Sequence, residues 1–138
     1  MAQLLNRADA SGTFDSVPID ASTELSVELS ALSITKTADK AIWVRDNLTY
    51  TIVVRNIDTR DPDDPDDPGL PVTGVEVTDT IDPTIAALVA GSVMINNNPA
   101  VEGTDYTYDP VSGLLTLISL DDLAVGGSHT ITFQVSSV

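Results

Sequence analysis

The sequence predicts an all-β protein, and three observations carry the prediction. Short stretches alternate polar and apolar residues with a period of two, as in Leu48-Thr49-Tyr50-Thr51-Ile52 and Val75-Glu76-Val77. Aromatic residues make up only 4% of the chain, so Val, Ile and Leu must fill the core, and these suit pleated surfaces. Eight glycines and eight prolines punctuate the chain at short, turn-like intervals, and no long amphipathic helix is legible. The expected architecture is an immunoglobulin-like β-sandwich of about seven to eight strands. An N-terminal extension is expected to add a strand to a neighbouring subunit.

The elements follow in order. Residues 1–22 read as polar and irregular, with Leu4, Leu5, Phe14, Val17 and Ile19 scattered and Pro18 opposing regular structure. Glu24-Leu25-Ser26-Val27-Glu28-Leu29-Ser30 then alternates cleanly, with Leu25, Val27 and Leu29 on one face. The phase breaks at Ser30-Ala31, because the next apolar residues are Leu32 and Ile34. Residues 1–30 are therefore assigned to the extension and 31–138 to the sandwich. Further strands are expected at 32–38, 41–44, 48–56, 72–81, 92–96, 106–108, 114–120 and 130–136. Residues 84–90 suit a helical turn or a loop packed on the core. Ser112-Gly113 and Gly126-Gly127 read as hairpin turns. Residues 58–69 contain Asp61-Pro62-Asp63-Asp64-Pro65-Asp66-Asp67-Pro68-Gly69, an acidic, proline-broken run expected to form a long exposed loop.

Charge narrows the function. The net charge is −15, from six basic and 21 acidic residues. Nucleic acid is an unsuitable partner, because its backbone requires clustered Lys and Arg. An anionic membrane surface is disfavoured for the same reason, and no run is apolar enough to insert. Residues 1–30 lack the basic start and apolar stretch of a secretory signal. With no cysteine in the chain, neither disulfides nor thiolate metal sites are available.

Strand parity singles out Lys36, Asn56 and Asp79. Each continues the apolar face of its segment, so all three are expected to point inward. An inward amine, carboxamide and carboxyl are the groups needed for an autocatalytic Lys36–Asn56 isopeptide bond assisted by Asp79. Burial disfavours charge, so a buried lysine becomes nucleophilic while a buried carboxyl keeps a proton to polarise the amide. Two plainer readings stand beside it. Lys36 and Asp79 form an ion pair with Asn56 completing the hydrogen bonds, or the three sit at strand ends where parity continues and burial stops.

The acidic run invites a weak Ca2+ site at Asp61, Asp63, Asp64 and Asp66, against the plainer reading of a solvated loop. The spacing is not that of an EF-hand, since Gly69 comes last and no glutamate closes the loop. Enzymatic constellations are thin. His129 is the only histidine, and no nucleophile elbow or phosphate loop occurs. Trp43, Tyr50 and Phe133 read as core residues. The protein is expected not to be an enzyme and to need no cofactor.

Several segments carry a resemblance. They are Ser33-Ile34-Thr35-Lys36-Thr37-Ala38, Leu48–Asn56, Val72–Ile81 and Leu123–Phe133. Together they resemble the repeat domain of bacterial and archaeal surface proteins known as the domain-of-unknown-function-eleven family, over residues 32–136. The domain also looks like the fimbrial isopeptide-formation domain of Gram-positive pilins. The resemblance implies an immunoglobulin-like sandwich used in extracellular fibres and surface layers. Two departures stand out. Pilin relatives place the acceptor Asn in the last strand, where residues 130–138 offer only Gln134, and Asp82 precedes Pro83 where the family has an apolar residue.

The function expected from these readings is structural: a self-assembling subunit of an extracellular filament or cell-surface appendage. It would polymerise with itself, head to tail, through residues 1–30, with Leu25, Val27 and Leu29 as anchors. The alternative is an adhesin or carbohydrate-binding module using loops 58–69 and 96–105.

Overall fold

A computed structural model describes residues 3–28 and 30–138. The described residues form strands and no helix, and every strand pairing is antiparallel. The chain divides into two compact units, Met1–Ala31 and Leu32–Val138.

The first unit corrects the expectation for residues 1–22. Strands β1 (Gln3–Phe14) and β2 (Val17–Glu28) pair along their whole length in a hairpin. At ~3.3 Å per residue each strand is roughly 40 Å long. The loop is Asp15-Ser16, with φ of 50° and 62°. Two consecutive positive φ values are the signature of the type I′ turn, whose twist matches that of the flanking strands. Pro18 does not break β2. The two-residue loop makes Phe14 and Val17 the closing hydrogen-bonded pair, so Pro18, opposite Thr13, takes a non-hydrogen-bonded position. No ladder donor is lost there.

The second unit has nine strands. These are β3 (Leu32–Ala38), β4 (Leu48–Asn56), β5 (Val77–Thr80), β6 (Ala86–Leu88), β7 (Met94–Ile95), β8 (Asn98–Pro99), β9 (Tyr106–Asp109), β10 (Leu114–Leu117) and β11 (Ser128–Ser137). One sheet runs β3-β4-β11-β7-β8, with β6 also paired to β11, and the other runs β5-β10-β9. Period-two alternation builds the core between them. Leu48, Ile52 and Val54 of β4 and Ile131, Phe133 and Val135 of β11 face Val77, Leu115, Leu117 and Tyr106 from the smaller sheet. This is the β-sandwich that the alternation predicted.

The differences have local causes. Residues 41–44 are not a strand: Ile42 and Val44 are exposed, and the Trp43 indole donates to the Asp46 carbonyl at 2.5 Å. The expected 72–81 strand shrinks to Val77–Thr80 because Gly74 turns the chain at φ +64°. Val72 keeps an isolated bridge to Leu123. Residues 84–90 start as a turn capped by Asp82, whose carboxylate accepts from the Thr84 amide and hydroxyl, and then form β6. Ser112-Gly113 lies in the turn joining β9 and β10, whereas Gly126-Gly127 turns the chain into β11 without joining adjacent strands.

Candidate functional site

The hairpin is a candidate site because of its two faces. Directly paired residues share a face in an antiparallel ladder. One face carries Leu4, Ala8, Ala10 and Phe14 from β1 and Val17, Ile19, Ala21 and Leu25 from β2. The other carries Arg7, Asp9, Ser11, Asp20, Ser22 and Glu24, with Leu5 and Pro18 the apolar exceptions. Arg7 bridges Asp9 at 3.0 Å and Glu24 at 3.4 Å, and Ser26 donates to Gln3 at 3.1 Å, all on the polar face. The apolar face has no cover within the hairpin: Phe14 is 72% exposed and Leu25 68%. Asn6 and Thr23 are the polar residues on it, diagonal neighbours across the strands.

Of the expected anchors, Leu25 lies on this apolar face. Val27 is the register partner of Leu4, and Leu29 lies outside the described residues. The alternation expected over 24–30 therefore reached only the end of the ribbon, Glu24–Glu28 of β2. Residues 4–19, which supply most of the apolar face, escaped it because Asp15-Ser16 lacks the glycine that marks a type I′ turn.

The Lys36, Asn56 and Asp79 set separates into two sites. Lys36 is opposite Ile52 on β4, while Asn56 is opposite Leu32. That is four residues along the ladder, roughly 13 Å. Lys36 Nζ contacts Asp79 Oδ2 at 2.6 Å and sits 4.4 Å from the centre of the Tyr50 ring. Its side chain is 40% exposed, because β3 is an edge strand and the inward face outruns the smaller sheet. The Asp79 side chain is 6% exposed, and its Oδ1 has no hydrogen-bond partner among the described residues. The pair lines a cleft of about 220 Å3, together with Trp43, Tyr50, Ile85 and Val135.

Asn56 is fully buried and structural. Its Nδ2 donates to the carbonyls of Leu70 at 3.0 Å and Leu123 at 3.1 Å, and its Oδ1 accepts from the Asp58 amide at 2.9 Å. These bonds fasten the end of β4 to both flanking loops. The Lys36–Asn56 crosslink is thus corrected to an ion pair and a distant carboxamide clamp. The intact mass is expected to equal that of the sequence, and loss of one ammonia would contradict this geometry. Asn56→Ala removes the hydrogen bonds to the Leu70 and Leu123 carbonyls and from the Asp58 amide, although Leu123 keeps the Val72 amide, and is expected to cost about 2–3 kcal/mol in denaturant unfolding.

The acidic loop is tied at its base. Asp58 accepts from the Arg60 guanidinium at 2.5 Å and from the Leu70 amide at 3.1 Å. The Arg60 side chain first, and the Arg60 amide second, hold the Asp58 carboxyl well below the usual carboxylate range. Asp61, Asp63, Asp64 and Asp66 do not converge, and no three His, Cys, Asp or Glu among the described residues are placed to hold a metal ion. The reason is local: Asp61 Oδ1 accepts from the Asp63 amide and Asp64 Oδ1 from the Asp66 amide, so these carboxylates cap their own turns.

His129 is also structural. Its Nε2 meets the Asp121 carbonyl at 2.7 Å and its Nδ1 meets Asn96 Nδ2 at 2.9 Å, which fits the tautomer carrying its proton on Nε2. No protein family model, no curated protein and no solved structure matches the chain.

Proposed function

We propose that this protein is the structural subunit of a self-assembling extracellular filament or cell-surface appendage, polymerising head to tail through its N-terminal unit. The observation that carries this is the hairpin: a long ribbon, amphipathic and exposed on both faces. An isolated two-stranded hairpin is marginal in water. An apolar face of this length marks an interaction surface. The donor in this reading is a two-stranded ribbon rather than a single strand, with β1 supplying as much of the face as β2.

The rest of the chain suits that role. An immunoglobulin-like body makes a compact repeating unit, and the resemblance of residues 32–136 to surface-protein repeats supports a place outside the cell. A donor at one end and an acceptor elsewhere form a heterologous contact, which propagates instead of closing. The charge of −15 opposes association at long range, so assembly is favoured by salt, which screens it.

Electron microscopy of the purified full chain tests the proposal. Long uniform fibres are the expected result. Monodisperse monomers at high concentration and salt would overturn it, and glycan binding by such monomers would favour the adhesin or carbohydrate-binding reading.

A further inference from the structure

The sandwich is lopsided on one flank. Three strands, β5-β10-β9, oppose a sheet whose path is five strands long, and β5 is an edge strand of the smaller sheet. Beside it the inward face of β3 runs out of cover. Ile34 is 60% exposed although its register partner Val54, on the same face, is 3% exposed. Lys36 and Asp79 bridge this flank, and Asp79 Oδ1 is a buried acceptor with no donor. Such an atom is costly unless something arrives to satisfy it.

We propose that this flank, between β3 and the free edge of β5, is the acceptor for the hairpin of a second copy. A hairpin strand pairs with β5, the apolar face covers Ile34, and the Asn6–Thr23 spot donates a hydrogen bond to Asp79 Oδ1. The inference rests on the filament reading and names the surface that reading requires. Two matches single out a copy of the same chain. Two added strands bring the three-stranded sheet to five, the length of the path it faces. The hairpin's apolar face carries one polar spot, and the flank carries one orphaned acceptor. Every chain holds one donor and one acceptor, so the contact repeats without limit. Backbone pairing supplies affinity, and the Asn6–Thr23 spot fixes register.

The test uses the full chain. Ile34→Asp puts a charge beneath the docked ribbon at an exposed position. It is expected to abolish fibres while shifting the melting temperature by less than ~3 °C. Hydrogen exchange on wild-type fibres is expected to show the 77–80 amides protected at least about tenfold more than in the Ile34→Asp monomer. Fibres that persist in Ile34→Asp, or 77–80 amides that exchange equally in fibre and monomer, overturn the acceptor and leave the filament reading intact. Wild-type chains that form no fibres overturn both.

Discussion

Replacing Phe14 and Ile19 together by aspartate is expected to leave the second unit folded and to remove the proposed assembly. Both side chains belong to the apolar face of the hairpin, at 72% and 53% exposure. Neither supports the core of residues 32–138, so the melting transition of that unit is expected to stay where it is. The loss falls on docking. Burying a large apolar side chain is worth about 1.5–3 kcal/mol, so two removals cost about 3–6 kcal/mol per contact. Each ~1.4 kcal/mol is tenfold in an equilibrium constant, so the concentration needed for assembly rises by at least about a hundredfold. Pelleting assays over a concentration series read this directly. Wild-type assembly by the double variant would show that the apolar face is not the docking surface.

The second large effect is on stability, at Gly113. This residue closes the β9–β10 turn with φ +75°, and a Cβ there would lie 1.7 Å from the Ile81 carbonyl oxygen. The approach is tight for a reason: the Ile81 amide donates to the Gly113 carbonyl at 2.9 Å, locking the end of β5 onto the turn. Gly113→Ala must both adopt a left-handed backbone and push two chain segments apart. Positive φ costs roughly 1–3 kcal/mol and overpacking a similar amount, so a loss of about 3–5 kcal/mol is expected in urea or thermal unfolding. Gly74, at φ +64° with open space around its Cβ position, is the control. Gly74→Ala there should cost only the backbone strain of about 1–3 kcal/mol.

Much of the fold was legible because its signal is local. Strands Leu32–Ala38 and Leu48–Asn56 lie where alternation put them, since successive side chains on a half-buried strand must differ in polarity. Asp79 points inward, as its position between Val77 and Ile81 required. Lys36 shares the face but not the burial, because parity carries no information about whether an edge strand is covered. Asn56 illustrates the other limit. Its partners, the Leu70 and Leu123 carbonyls, come from loops 14 and 67 residues away in sequence. No spacing rule pairs them. Only the end of the hairpin was legible: Glu24–Glu28 alternates, but the Asp15-Ser16 turn and Pro18 concealed the rest of the ribbon.

The two units divide the labour in this account. The core of the sandwich draws on both sheets, with one flank left open beside β5. The hairpin is a ribbon whose apolar face has no cover within its own ladder. A chain without cysteine has no disulfides, so the proposed fibre would rely on backbone pairing and buried apolar surface at each junction.

The most direct test of that division compares electron micrographs of the full chain with those of residues 32–138 under the same salt conditions. Long fibres are expected from the full chain and only monomers from the truncated one. Fibres from residues 32–138 alone would contradict it, because assembly would then proceed without the hairpin.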